Sequence, residues 1–413
     1  MTIAIIGCGG SGSAIGSQLI KKEIVEKIKL IDFNIEKSQK LLRELSIINN
    51  KLEFESFQIN AINNENLVNI LKDVKVVINA ASPVCNIPIM KACIKSNSNY
   101  IDLASDPFNY RDIMEETSLD SQLALHDKFM KNDIVAVTNA GASPGFSDIL
   151  CKHAAETNSF DSLENIKIYF AEIIKSKKLV SSWSPYMLLL ESILPATIYE
   201  HNKIYEIESH KRHKFVEFPQ PFGKIKINLF NGHPELRTIP DFMKIPINHI
   251  EVGGGMLLNE LELDDIILEA LRQKVKDSMI FEGDIFKYIA ESFESPDSFV
   301  ENYKNGVIKK ESLCCLTEII GINDGNPIKY IASTMIDLEK ITKKNPLATS
   351  TSYMVSIVPT ILTQKIIQDE IMEKGVIAPA ALNSASEIVQ EARQFDLNFK
   401  ESIVEINHIP NYC

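Results

Sequence analysis

Thr2-Ile3-Ala4-Ile5-Ile6-Gly7-Cys8-Gly9-Gly10-Ser11-Gly12 is the stretch that decides the fold. Thr2–Ile6 is short and almost continuously apolar, the pattern of a strand buried on both faces. It runs into GxGxxG at 7–12, and Ser13–Lys22 follows with a helical pattern. In that context Gly7 permits a tight turn, Gly9 lets the backbone approach a pyrophosphate, and Gly12 lets helix pack closely on strand. The N–H groups of Gly10, Ser11 and Gly12 would open the helix, where an anion is held without a cationic side chain. Asp32 lies twenty residues past Gly12, at the end of the next apolar run. A carboxylate placed there accepts hydrogen bonds from an adenosine ribose. It also repels a 2′-phosphate, and Phe33 and Asn34 offer no cation, so NAD is favoured over NADP. Lys37 is near enough in sequence to leave NADP open.

The pattern continues outward as an alternation. Lys27–Phe33, Leu52–Ile59, Val74–Ala80, Tyr100–Leu103 and Ile134–Thr138 have the character of strands. Ile35–Ile47, Glu65–Leu71, Pro88–Lys95 and Ser118–Met130 have that of helices. Repeated strand–helix alternation implies parallel strands with right-handed crossovers: a Rossmann-type, doubly wound α/β sheet over residues 1–145. Such sheets bind ligands outside the carboxyl ends of their strands. Two loops leave those ends: Asn79-Ala80-Ala81-Ser82-Pro83, and Asn139-Ala140-Gly141-Ala142-Ser143-Pro144-Gly145. Their small residues would let a dinucleotide lie close, which adds Asn79, Ala80, Ala81, Gly141 and Pro144 to the expected cofactor contacts.

Beyond residue 145 the signature changes. Glu164–Ile174, Lys224–Phe230, Ile247–Val252, Leu313–Ile322 and Ile328–Ile336 resemble strands, and Pro185–Leu194, Asp264–Val275 and Asp284–Phe293 helices. Asn323-Asp324-Gly325-Asn326-Pro327 marks a hairpin between the last two strands. We expect an α+β second domain on a mostly antiparallel sheet over residues 146–345, and a homodimer formed through that sheet. Thr351–Ile371 is helical around Pro359, and Gly375 is expected to stop it, within C-terminal helices over 346–413. His210-Lys211-Arg212-His213-Lys214 is expected to be a solvated loop.

Composition removes whole classes of function. Asp plus Glu (55) outnumber Lys plus Arg (43), giving a formal charge of −12, so nucleic acid is not an expected partner. No apolar run reaches membrane-span length, and the first residues enter a strand rather than a signal peptide. Seven cysteines, without CxxC spacing, fit reduced thiols of a cytoplasmic chain and no metal site. No GxGK[ST], HExxH or GxSxG motif competes with the dinucleotide fingerprint.

The chain resembles the saccharopine dehydrogenase family, which includes saccharopine reductases, lysine ε-dehydrogenases and carboxynorspermidine dehydrogenases. The resemblance rests on GCGGSG at 7–12, VVINAAS at 76–82, YIDLASD at 100–106 and AGASPGFSDIL at 140–150. It continues through WSPYMLLLES at 183–192, GHPE-x-x-TIP at 232–240 and GVIAP at 375–379. It implies NAD(P)-dependent hydride transfer at a carbon–nitrogen bond of an amino acid or polyamine precursor. It also implies C-terminal helices returning to the dinucleotide domain. A same-fold reductase of a C=C or C=O bond, or a non-catalytic NAD-sensing protein, are the other readings.

Amine oxidation requires the substrate carbon against the nicotinamide, loss of a proton from nitrogen, and a hold on the substrate's charged ends. Asp102, after the fifth strand, and His233 are the expected proton-handling residues. Glu235 is a candidate for a substrate ammonium. Arg237 is one of only six arginines and a candidate fork for a substrate carboxylate. Trp183, the single Trp, and Tyr186 are candidate pocket walls.

Overall fold

The computed structural model describes residues 1–62, 65–105, 119–186, 188–189, 195–208, 211–262, 265–267 and 285–409. Asp106, Arg111, Ser118, Met187, 190–194, His210, Asp264, 268–275, Asp284 and Cys413 carry expectations from the sequence and lie outside those residues. The chain divides into two compact units. The first contains Met1–His153, Arg237–Lys244 and Tyr353–Phe395; the second contains Ala154–Leu236, Ile245–Ser352 and Asp396–Cys413.

The first unit is built on seven strands: β1 (Thr2–Ile6), β2 (Lys27–Asp32), β3 (Glu53–Gln58), β4 (Val76–Asn79), β5 (Asn99–Asp102), β6 (Val135–Val137) and β16 (Gly375–Ile377). Their order is β16-β6-β5-β4-β1-β2-β3, and every neighbouring pair is parallel. Parallel neighbours need crossovers, so helices cover the sheet and its central strands β1 and β4 are apolar and buried, whereas the edge strand β3 is polar and part-exposed. Ile5 on β1 pairs with Leu30 and Ile78 on its two sides, and all three are fully buried. Tyr100, Phe129, Met90 and Leu71 belong to the core cluster of this unit. The chain leaves β1 in one direction along the sheet and restarts at β4 in the other, so a crevice opens at the β1/β4 strand ends.

Two local expectations here are corrected. Leu119–Leu123 and His126–Lys131 are separate helices rather than one. Gly375 does not merely stop a helix: it begins β16, with φ +85°, and a side chain there would collide with the His126 ring. Three residues are too few for periodicity to announce a strand, and the pairing partner, β6, is far away in sequence.

The second unit carries a ten-stranded sheet. Its strands are β7 (Ser162–Ser176), β8 (Thr197–Glu200), β9 (Lys203–Glu206), β10 (His213–Phe218), β11 (Gly223–Leu229), β12 (His249–Leu258), β13 (Leu261–Glu262), β14 (Ile308–Asn323), β15 (Asn326–Asp337) and β17 (Lys400–Glu405). The main path runs β10-β11-β12-β7-β14-β15-β17; β12 and β7 are parallel and the remaining pairs antiparallel. Asp324 (φ +49°) and Gly325 (φ +78°) form the two-residue turn of the β14–β15 hairpin, the conformation Asp-Gly favours. The alternation of Ile166, Ile168 and Phe170 puts those side chains on one face of β7, and Asn165, Lys167 and Tyr169 on the other.

Two further expectations are overturned. Lys400–Glu405 is not part of a helical tail: it is β17, paired antiparallel with β15 in this second sheet. The basic run is not a solvated loop either. Lys211 precedes β10, Arg212 is only 8% exposed with its carbonyl bonded by Leu229 N–H, and His213 and Lys214 are strand residues. Lys214 bonds the buried Glu251 carboxylate at 2.5 Å, and Tyr169 O–H donates to the same group. Despite burial, His249, Lys214 and Tyr169 hold Glu251 down to about 2. A buried carboxylate thus drew the lysine inward, a long-range pairing that a local charge run cannot reveal.

Candidate active site

In the first unit the fingerprint forms a cradle at the β1/β4 crevice. Gly7 has φ +95°, and a Cβ on it would lie 2.6 Å from Ala81 N and 2.7 Å from the Ala80 carbonyl. A Cβ on Gly12 would lie 1.9 Å from the Gly7 carbonyl oxygen. These glycines are therefore steric requirements of the turn and of its approach to the β4 loop. Gly9 precedes helix α1 (Gly10–Leu19), which has no side-chain N-cap and no acidic residue in its first turn. That leaves the positive end of a ten-residue helix facing the crevice. Asp32, at the end of β2, accepts from Cys8 N–H at 2.8 Å and Asn34 N–H at 2.9 Å. It ties the glycine loop to the second strand and is buried. Burial and the Asp32 charge push the Cys8 thiol up to about 12, so it stays protonated and takes no part as a nucleophile. A glycine cradle, an uncapped helix N-terminus and a carboxylate at the end of β2 fit a dinucleotide.

The other strand-end loops are joined by one buried network. Asn79 donates to Asn86 at 2.7 Å and to Tyr100 Oη at 3.2 Å, and accepts from Ala81 N–H at 3.0 Å. Asn86 donates to the Ala104 carbonyl at 3.0 Å. Asp102 accepts from Asn139 N–H at 2.7 Å and Gln122 Nε2 at 2.5 Å. Asn139 in turn accepts from Ser105 N–H at 2.7 Å and Oγ at 2.9 Å. Asp102 is 1% exposed, and burial pushes its carboxyl up to about 7 against the pull of Asn139, Gln122 and Tyr100. It does not open into the crevice as the sequence suggested; it pins the loops after β5 and β6. Gly141 continues that packing: a Cβ there would lie 2.8 Å from Leu103 O and 3.1 Å from Pro144 O.

In the second unit His233 Nδ1 bonds the Glu235 carboxylate; both are buried, Glu235 completely. The imidazole stacks on Phe230 (centroids 5.9 Å apart, 24°) and lies 6.3 Å from Phe170. A carboxylate on one ring nitrogen fixes the tautomer and favours proton acceptance at the other. Sequence reasoning singled out His233 and Glu235 separately; the structure pairs them.

Two residues missed in the sequence share this unit. Glu172 stands two positions beyond Phe170 on the same face of β7, and Glu311 lies diagonally across on β14. Ser350 donates to Glu311 at 2.6 Å, and Ser182 bonds Glu172. One oxygen of each, Oε1, is buried without a hydrogen-bond partner. Burial pushes both carboxyls up, Glu172 to about 7, and Glu311 is raised further by its neighbour's charge. Two such groups share a proton in preference to ionising together. The readable signal was a Glu at an inward position of the Ile166-Ile168-Phe170 alternation.

Trp183 and Tyr186 are half-buried and follow Ser182, whose hydroxyl is 2.7 Å from Thr351 Oγ1. Arg237 belongs to the first unit, where its Nε meets Asp241 and its Nη2 meets Asp120, each at 2.9 Å. A substrate carboxylate there would have to displace one of those partners. Among the described residues no group of His, Cys, Asp and Glu could hold a metal ion.

Comparison with known proteins gives this geometry a lineage. The profile "Saccharopine dehydrogenase NADP binding domain" matches residues 3–137, and "Saccharopine dehydrogenase C-terminal domain" matches 141–394. The carboxynorspermidine synthase of Vibrio cholerae is 28% identical over 264 residues, 62% of this chain and 63% of that protein. The chain therefore matches somewhat under two thirds of that relative's length. Among solved structures, the L-Glu-forming saccharopine dehydrogenase of Saccharomyces cerevisiae has a TM-score of 0.68 at 14% identity, covering 98% of this chain and 99% of that one. The homospermidine synthase of Legionella pneumophila, solved with NAD, has a TM-score of 0.68 at 16% identity, covering 100% and 94%. Those two likenesses speak for the fold. With both profiles matched along most of its length, the chain belongs to the saccharopine dehydrogenase family.

Proposed function

We propose that this chain is an NAD(P)-dependent oxidoreductase that transfers hydride at a carbon–nitrogen bond of an amino acid or polyamine precursor. The observation that carries the proposal is the steric cradle of Gly7 and Gly12 beside Asp32 and an uncapped helix, in a chain of this family. The first unit binds the dinucleotide, with Gly9, Gly10 and Ser11 N–H groups toward its phosphates and Asp32 toward its adenosine ribose. The negative charge of Asp32 favours NAD, and NADP remains the second cofactor to test.

The nicotinamide, when bound, supplies the hydride acceptor or donor. The protein's own work is to hold the amine and manage its proton. The buried His233–Glu235 pair takes or returns that proton. Trp183 and Tyr186 wall the substrate, and Asp102 acts as a positioning residue through Asn139 and Gln122. The Vibrio relative, named as a carboxynorspermidine synthase, supports a substrate carrying both amine and carboxylate.

We further read the chain as a cytoplasmic homodimer. Its described cysteines form no disulfide with one another, which suits a reducing compartment. Exposed Ile403 and Val404 on edge strand β17 suit self-association. Calorimetric titration with NADH and NADPH tests the cofactor, and failure of both to bind ends the proposal. Turnover of amino acids and diamine–carbonyl mixtures, against keto and enoyl substrates, tests the bond class.

A further inference from the structure

Strand β12 carries Gly253-Gly254-Gly255 at its middle, and these glycines have different neighbours. A Cβ on Gly253 would lie 2.6 Å from the Asn228 carbonyl oxygen, and one on Gly255 would lie 2.5 Å from that of Lys226. Those two positions are left bare by the close approach of the β11 backbone. The atoms nearest a Cβ on Gly254 are instead aromatic carbons: Cδ2 and Cε2 of Phe170, each at 2.6 Å, and Cζ of Phe230 at 2.9 Å. Gly254 has no positive φ, so space rather than backbone conformation requires glycine there.

Both rings are held from their own elements. Phe170 stands on β7 directly across from Gly254, with Cys315 of β14 on its other side, and its ring lies over the glycine. Phe230 N–H donates to the Val252 carbonyl, and the Phe230 carbonyl accepts from Thr197 N–H, both at 3.0 Å. The two ring centroids are 5.1 Å apart, and the His233 imidazole completes the group, stacked on Phe230. Glu235 fixes one atom of that imidazole, and the Phe230 face fixes its plane. Carbon atoms in contact sit about 3.5–4.0 Å apart, so a methyl group on Gly254 would displace the rings by about 1 Å. Phe230, pinned by its backbone on both sides, passes that displacement to the imidazole.

We propose that Gly254 is a positioning residue for proton transfer by His233. Its missing side chain seats Phe170 and Phe230, and the seated rings set the plane in which the imidazole meets substrate. This inference rests on the proton-handling role proposed above for the His233–Glu235 pair.

The test compares amine turnover, NADH affinity and histidine ring resonances of the full chain in wild type, Gly254→Ala, Phe170→Leu and the double variant. Gly254→Ala should lower kcat by about 10–100-fold, with KM and NADH affinity changed less than about threefold. Phe170→Leu removes the ring that the methyl group meets. The double variant should therefore recover kcat to within about threefold of Phe170→Leu alone. The His233 ring protons, assigned by their loss in His233→Gln, should shift in Gly254→Ala and coincide with those of Phe170→Leu in the double variant. Wild-type kcat and resonances in Gly254→Ala would overturn the proposal, as would a kcat loss that Phe170→Leu leaves unrelieved. If Gly254→Ala does not fold, Phe230→Leu reads the same stack from its other side: kcat should fall and the resonances move, and no change in either overturns the proposal. A wild-type protein that turns over no amine ends the functional reading alone, and the resonances, taken without substrate, still decide whether Gly254 seats the imidazole.

Discussion

Replacing Asp102 by Asn should remove a pH dependence from the stability of the dinucleotide unit. Asp102 is a carboxyl whose ordinary value near 3.8 is pushed up to about 7, chiefly by burial. Between those values the unfolded chain has lost the proton and the folded chain keeps it, so stability falls as pH rises. At 1.36 kcal/mol per unit the full effect is about 4 kcal/mol, complete once pH exceeds the folded value. Roughly 1.4 kcal/mol of it falls between pH 6 and pH 8. For a unit of this size that is about 3–6 °C in thermal midpoint. Asn cannot ionise, so Asp102→Asn abolishes this component while adding a pH-independent penalty for the altered bonds to Asn139 and Gln122. The assay is thermal unfolding of both proteins at pH 6 and pH 8, compared as the wild-type-minus-variant offset. Wild type should lose about 3–6 °C relative to the variant as pH rises. An offset constant within about 1 °C would refute the reasoning, because every other titrating group cancels in the difference.

Other outcomes follow from the same geometry. Gly12→Ala places a methyl group against the Gly7 carbonyl and should abolish NADH binding, measured by fluorescence titration. Asp32→Ala removes the acceptor for Cys8 and Asn34 N–H and should weaken NADH by about 10–100-fold, narrowing its preference over NADPH. His233→Ala should lower kcat by about 10²–10⁴-fold with NADH affinity unchanged, and a loss confined to KM would remove its proton-handling role. Glu172→Gln should stabilise the second unit at pH 8 relative to pH 6, because a buried carboxyl held at about 7 disfavours the folded state as it ionises. Trp183 fluorescence during unfolding reads that change directly.

The dinucleotide half was legible because its evidence is local. GxGxxG, Asp32 and alternating apolar runs are written within short windows, and parallel strands buried on both faces leave an unmistakable apolar pattern. What escaped the sequence depends on partners distant in the chain. β16 is three residues long and exists only because β6 offers an edge. Lys214 belongs to a locally basic run, and its partner Glu251 lies 37 residues further on. The same holds for the site. His233 and Glu235, two residues apart, could be named, whereas Glu172 and Glu311 meet only through the β7–β14 register. The position of Asp102 after a strand is written in the sequence, but whether that carboxylate faces a crevice or a carboxamide is decided by Gln122, on a helix.

The parallel sheet also sets a clock on synthesis. β6 ends at Val137, yet the strand that covers its outer edge begins at Gly375. At about 5–20 residues per second, a ribosome needs roughly 12–50 s to deliver that strand after making β6. Throughout that interval the nascent chain presents an unpaired, fully apolar edge, Val135-Ala136-Val137, to whatever strands lie nearby. Shortening the chain before Gly375 would make the interval permanent. Expression should then depend on chaperones during translation, and C-terminal truncations should aggregate even though they retain every residue of the nucleotide fingerprint.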